Sequence, residues 1–298
     1  MRWAFALALA MLGVEIAGGL LFNSLALLAD AGHILGDALA VGLALGAIWL
    51  AGRPGGQQRT FGWARAEIMA AMLNGGALLV IAAVIVWRAV LRLDDDPDVA
   101  GVGLLALGLT GLAVNGIAAW LLHAPQGRSL NVRGAYYHVL GDALGSVGAV
   151  IAGIVIVATG WSTIDAVASF AIAGLIAWNA LRLLCEAIDV LMETAPPDLG
   201  VEAIALRLRA LPGVLGVHDL HLWTVTSGFP ALSRHLEIDE ITNVESVLMS
   251  AAHRLQDEFG LQHVTLQPET GALHEAMACC DFPDLSALGA FSVGHRSD

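Results

Sequence analysis

The sequence predicts a polytopic α-helical membrane protein with six transmembrane helices, followed by a small α+β domain. Three observations carry that expectation. Of 298 residues, 57% are apolar and 14% charged, with a mean hydropathy of +0.73, a balance too apolar for a soluble chain of this length. Before residue 192, apolar stretches recur six times at about 20 residues or more, each long enough to cross a bilayer core of roughly 30 Å. The pattern then stops at Thr194-Ala195-Pro196-Pro197, and shorter helical and strand periodicities follow.

The spans are expected at 3–22, 25–51, 64–91, 100–123, 131–158 and 163–185. The opening run continues through Glu15 and Gly18-Gly19 without a polar start, so it reads as the first membrane helix and not as a secretory signal. The connection at 22–25 is short, which makes the first two helices a tight hairpin. Gly52, Pro54 and Gly55-Gly56 mark the next loop, and Asp94-Asp95-Asp96-Pro97-Asp98 the one after it. Arg128 lies in the fourth loop and Gly160-Trp161-Ser162 forms the fifth. Arg2, Arg53, Arg59, Arg65, Arg128, Arg133 and Arg182 fall on one side of the membrane, against Arg88 and Arg92 on the other. Arginine gathers on the cytoplasmic side, so both termini are expected in the cytoplasm and the protein in the inner cell membrane.

The expected domains are a transmembrane domain at 1–192, a linker at 193–197, a cytoplasmic α+β domain at 198–270 and an irregular tail at 271–298. Residues 198–211 have helical spacing and end at Pro212-Gly213. Strands are expected at 215–226 and 231–239, joined by Ser227-Gly228-Phe229-Pro230 as a turn. An amphipathic helix at 243–259 stops at Gly260, and a last strand covers 262–268. The resulting αββαβ order is that of a ferredoxin-like layer sandwich.

Charge is uneven between the two parts. Residues 1–192 hold 9 Arg against 12 acids, a net of −3, and residues 193–298 hold 5 Arg against 15 acids, a net of −10. An acidic tail domain argues against a nucleic-acid partner, because phosphate binding needs a basic surface. Three cysteines, Cys185, Cys279 and Cys280, make no disulfide framework, which suits a reducing cytoplasmic face. The adjacent Cys279-Cys280 also offer a possible metal trap.

The chain carries one internal repeat. His-Ile-Leu-Gly-Asp-Ala-Leu at 33–39 returns as His-Val-Leu-Gly-Asp-Ala-Leu at 138–144. His33 and Asp37, like His138 and Asp142, are four residues apart, so each pair projects from one helix face about 6 Å apart. An ionisable group inside a bilayer costs roughly 2.5–3.5 kcal/mol, and the chain places four at two corresponding positions. The copies lie on the second and fifth spans, three apart in order, so their helices run antiparallel and the motifs meet near the midplane, as in transporters built from internal repeats. Two imidazoles and two carboxylates form a tetrahedral set that Zn2+ accepts, and two Asp neutralise a divalent ion. Without thiolate the set favours Zn2+ over Cu+, and leaves Cd2+, Co2+ and Mn2+ open. Metal binds only the deprotonated imidazole, so proton and metal compete for the site. Asp30, on the outward side of the first motif, is a candidate relay or entry residue. Glu15, Glu67, Asn74 and Asn115 also lie in or near spans, as polar contacts between helices or as parts of the ion path.

These residues bear a family resemblance. The stretch Ser24-Leu25-Ala26-Leu27-Leu28-Ala29-Asp30-Ala31-Gly32-His33 with Asp37, Phe61-Gly62-Trp63-Ala64-Arg65-Ala66-Glu67, Asn131-Val132-Arg133-Gly134-Ala135 before His138 and Asp142, and His218-Asp219-Leu220-His221-Leu222-Trp223 resemble the cation diffusion facilitators, of the zinc, cadmium and cobalt exporter type. The resemblance covers about residues 1–270. It implies a homodimer, a cytoplasmic metal-binding domain and metal/proton antiport, with His33, Asp37, His138 and Asp142 as transport ligands and Zn2+ and Cd2+ preferred over Mn2+. Many members carry a His-rich loop between spans four and five. Here that loop offers only His123, so capture of metal by such a lure is not expected.

Five histidines, 218, 221, 235, 253 and 263, lie in the tail domain. His218, His235 and His263 are expected to converge at one region of the sheet, with Glu269 closing the last strand. The resemblance places the family's cytoplasmic zinc site on His218, His235 and His263, with Glu269 as a further ligand. His221 is expected on the opposite face if its strand is regular, and His253 at the surface. The whole reads as a secondary active transporter exporting zinc, and cadmium with it, in exchange for protons. Zn2+ is then substrate and regulatory ligand, the partners are the bilayer and a second copy, and no organic cofactor or enzymatic activity is expected. The alternatives are a metal sensor or an intramembrane metalloprotein without transport.

Overall fold

A computed structural model describes residues 2–53, 55–93, 98–123, 130–239 and 244–273. The chain divides into two compact units, residues 1–188 and 189–298. The first consists of six helices, α1 (Arg2–Leu21), α2 (Leu25–Ala51), α3 (Ala66–Leu91), α4 (Gly101–His123), α5 (Leu130–Thr159) and α6 (Ile164–Leu191). Five are long and apolar enough to cross a membrane, with window hydropathies from 1.7 to 2.3, and α1 adds a shorter apolar stretch at Met11–Leu21. Leu20, Val102, Trp120 and Trp178 are exposed on the bundle surface, where a polytopic protein meets lipid. The protein is a multi-pass membrane protein.

Helix α2 lies between two packed groups. On one side Ala26 and Ala29 meet Ala82 and Ile85 of α3 and Ile172, Ala173 and Ile176 of α6. On the other, Leu27 meets Leu104 of α4 and Ala149, Ala152 and Ile156 of α5. Alanines on α2 let the backbones approach, which is how membrane helices gain packing energy when lipid is as apolar as the side chains. Helices α4 and α5 approach closely through glycine: a Cβ on Gly153 would stand 2.7 Å from the Leu105 backbone nitrogen.

The start of α2 is fixed by a carboxylate from α6. Asp165 is fully buried. It accepts hydrogen bonds from the Leu25 N–H at 2.6 Å, the Ala26 N–H at 3.2 Å and the Ser24 hydroxyl at 2.5 Å. Ser24 is the cap residue, and its Oγ accepts from the Leu27 N–H at 3.3 Å. Arg92, just past α3, donates to Asp165 at 3.3 Å and to the Asn23 carbonyl at 2.8 Å. The first N–H groups of a helix lack intrahelical partners and favour negative charge, so this arrangement sets the depth and rotation of α2.

The second unit contains α7 (Val201–Arg209), β1 (Val214–Thr226), β2 (Phe229–Ile238), α8 (Val244–Phe259) and β3 (His263–Glu269). Its sheet has the order β1-β2-β3, with β1 and β2 antiparallel and β3 parallel to β2. Ile204, Leu208, Val217, Leu222, Leu232, Leu236, Val247 and Leu255 form its core, leaving His218, His235, Gln267 and Glu269 on the opposite face of the sheet. The hairpin turn is shorter than the sequence suggests, because Gly228 takes a φ of 73° and the strands are already paired at Thr226 and Phe229.

Strand β1 is irregular where it matters for the site. His218 pairs with His235 and His221 with Ser233, so Asp219 and Leu220 together oppose Arg234. This is a β-bulge. Asp219 adopts a φ of 51°, a conformation that Asp, Asn and Gly tolerate better than other residues. Across from it, Arg234 is buried on the core side, where burial and the nearby Arg209 push its guanidinium down to about 10.

Replacing the buried cap tests this account of α2. Asp165→Ala leaves Arg92 and the helix N-terminus without their counter-charge, and is expected to cost about 3 kcal/mol. Ser24→Ala is expected to cost about 1 kcal/mol. Reversible unfolding in mixed micelles would measure both, and equal effects would contradict the dominant role given to Asp165.

Candidate metal centres

Helix periodicity places His33 and Asp37 on one face of α2, and the bundle brings that face to α5. The His33 Nε2 lies 3.2 Å from the Asp142 Oδ1 and 3.8 Å from the Asp37 Oδ2. One ligand atom from each of the three residues fits within a mutual 4.8 Å. Leu27 packs beside Ala149 and Ala152 while His33 meets Asp142, so numbers rise along α2 as they fall along α5. The two helices are antiparallel. His138 belongs to α5, one turn before Asp142, but its side chain lies outside the described residues.

A cavity of about 120 Å³ adjoins this cluster. Asp30 and His33 of α2, Gly141, Leu144 and Gly145 of α5 and Asn179 of α6 line it. Asp30 is buried and close to α5, since a Cβ on Gly145 would lie 3.0 Å from its Oδ1. Glu15 of α1 is buried near Asp30. Of the other polar residues in the spans, Asn74 is buried, Asn115 half-buried and Glu67 exposed. Gly145 and Asn179 do not stand out in the sequence. A glycine and a lone amide in a span carry no signal until the facing helix is known.

On the polar face of the tail sheet, a second cluster forms. The His218 Nε2 is 3.1 Å from the Glu269 Oε2, and the His235 Nδ1 is 2.8 Å from the Glu269 Oε1. The two imidazoles stand edge to face with centroids 5.3 Å apart. Gln267 donates to the Glu269 Oε1 at 2.7 Å. Burial alone would raise the Glu269 carboxyl, but the Gln267 hydrogen bond and the charges of His235 and His218 outweigh it. Its pKa therefore lies below the usual 4.5. His218, His235 and Glu269 offer ligand atoms within a mutual 4.8 Å, two nitrogens and a carboxylate of the kind Zn2+ takes.

His263 does not join this cluster. Strand β3 runs parallel to β2, so its first residue pairs with Ala231, while Gln267 sits beside His235. At about 3.3 Å per residue, the four-residue offset along β3 amounts to roughly 13 Å. The His263 ring packs instead against Phe229, with centroids 5.6 Å apart. Each histidine is strand-borne, which predicts convergence, but the strand direction separates them.

His221 also differs from expectation. The bulge shifts the alternation, so His221 shares the face of His218, and its Nε2 lies 2.8 Å from the Asp219 Oδ1. The Asp219 Oδ2 is in turn 3.6 Å from the His235 Nε2. Asp219 carries no separate signal in the sequence, since a regular strand would turn it away from His218. His253 is exposed on α8. Cys279 and Cys280 lie outside the described residues.

A multi-pass protein with a His/Asp cluster between antiparallel spans, and a second cluster on an appended αββαβ domain, is of the class that moves cations across membranes. The match to known proteins makes this specific. Residues 1–192 match the cation efflux transmembrane domain and residues 196–271 the cytoplasmic domain of cation efflux proteins. The chain belongs to the cation efflux family, a family of membrane transporters and not of enzymes. It is 42% identical over 264 residues to the cadmium, cobalt and zinc/H(+)-K(+) antiporter of Bacillus velezensis, covering 87% of this chain and 84% of that one. It is 39% identical over 274 residues to the zinc transporter ZitB of Escherichia coli, covering 91% and 87% of the two chains. It is 38% identical over 298 residues to the metal cation efflux system protein CzcD of Cupriavidus metallidurans, covering 100% and 93%.

The depressed Glu269 pKa predicts a pH dependence. A carboxyl held below its unfolded value stabilises the fold above about pH 4.5, and that contribution is lost as pH falls through the folded value. In the metal-free protein, amide protection in β1–β3 relative to the unstructured chain is expected to fall below about pH 4.5. Glu269→Gln should remove that acid limb, and an unchanged limb would contradict the assignment.

Proposed function

We propose that the protein exports Zn2+ from the cytoplasm in exchange for protons, with Cd2+ as a second substrate. His33, Asp37, His138 and Asp142 hold the ion. The observation that carries this reading is the meeting of His33 and Asp37 with Asp142 between α2 and α5. Two carboxylates match the charge of a divalent ion, so a dehydrated metal leaves little net charge in the bilayer. The relatives' names support the cargo, since they mention zinc, cadmium and cobalt, and one mentions proton exchange.

Protons compete with metal for the imidazoles, because only the neutral ring binds. Asp30 acts as the relay toward the outside. Its position at the cavity beside the ligand cluster, with the buried Glu15 near it, supports that role. Arginine asymmetry supports cytoplasmic termini in an inner membrane. In the tail, His218, His235 and Glu269 bind Zn2+ as a regulatory ligand, and the cytoplasmic domain joins two copies into a homodimer.

Two measurements test this. In proteoliposomes with an imposed pH gradient, Asp37→Ala and Asp142→Ala should each abolish zinc flux, and full flux in either would overturn the transport site. Equilibrium zinc binding by the full chain separates the tail ligands. His235→Ala should weaken the tail site at least tenfold, whereas His263→Ala should leave it within about twofold.

A further inference from the structure

The geometry points to Asp219 as a positioning residue for the tail metal site, acting through His235 and held in place by His221. The inference rests on the proposal that His218, His235 and Glu269 bind metal. It concerns a residue outside that ligand set.

Each imidazole has two nitrogens, and the structure assigns them different neighbours at His235. Its Nδ1 lies 2.8 Å from the Glu269 Oε1, on the side where His218 also converges on Glu269. Its Nε2 faces the Asp219 Oδ2 at 3.6 Å. A metal held by His235, His218 and Glu269 takes the Nδ1 lone pair, which leaves the proton on Nε2, pointing at Asp219. Metal-bound histidines commonly give their other N–H to a carboxylate, which fixes the ring's orientation and raises its donor strength. At 3.6 Å the contact is longer than a hydrogen bond. Ligation at Nδ1 obliges the Nε2 proton and closes it.

Two features keep the Asp219 carboxylate in place. The bulge at Asp219 and Leu220, with a φ of 51° at Asp219, turns its side chain onto the histidine face. His221 then binds the other oxygen at 2.8 Å. Asp219 is 23% exposed and His221 51%, so His221 is the outermost member of a chain that runs from His221 through Asp219, His235 and Glu269 to His218.

A double-mutant cycle on the full chain tests this, with Asp37→Ala and Asp142→Ala present to silence the membrane site. Asp219→Asn is the chosen change because Asn tolerates the same backbone conformation. It is expected to weaken zinc binding by about tenfold. Combined with His235→Ala, the same change is expected to have less than a twofold effect, since the residue it acts through is gone. A structural role alone would give equal losses in both backgrounds and a lower Tm for the zinc-free protein, and either result overturns the proposal. Asp219→Gly, which also accepts the backbone, should lose at least as much affinity as Asp219→Asn. If Asp219→Asn binds zinc normally, the positioning role falls while the tail site stands. If the unsubstituted tail holds no zinc, both fall.

Discussion

The structure depends most on one buried carboxylate at the start of α2. A membrane gives no water to the free N–H groups at a helix terminus, and Asp165 supplies what water would. Its oxygens take two backbone N–H groups and a hydroxyl from the α1–α2 corner, while Arg92 offsets its charge. The hairpin, the end of α3 and the start of α6 are thereby tied at one level. His33 and Asp37 lie along α2 from that anchor, so their height in the bundle follows from it.

Packing then fixes where α2 faces. Alanines on one side lie against α3 and α6, and Leu27 on the other lies against α4 and α5. The His33 and Asp37 face meets α5 at Asp142, and Gly145 leaves room for Asp30 to approach the same helix. Polar groups that would be costly in lipid become neighbours of one another. Electrostatic balance and close packing work toward the same arrangement.

Much of this was legible in the sequence, for a physical reason. Hydropathy over 20 residues is a strong signal, and a repeated His-x-x-x-Asp in apolar surroundings has few uses. The antiparallel meeting of α2 and α5 followed from counting spans. Other features were hidden because they depend on partners distant in sequence. Asp165 looks like an ordinary helix-start acid until the α1–α2 corner lies on it. In the sequence His263 is equivalent to His218 and His235 because strand periodicity does not state strand direction, and the parallel pairing of β2 and β3 moves it to the far end. Asp219 was hidden by the assumption that β1 alternates without interruption.

That interruption limits how the tail can vary in length. His218 and His221 are three positions apart and yet lie on one face of the sheet, which only an odd extra residue allows. Deleting a single residue between them would restore regular alternation, leaving His221 on its face and Leu222 and Val225 in the core, but would remove the bulge that turns Asp219 onto the histidine face. Lengthening the turn at Ser227 and Gly228 would do no such damage. The two loci therefore differ in what a change of length costs, the carboxylate beside the histidines at one and the turn alone at the other, although neither stands out in the primary sequence.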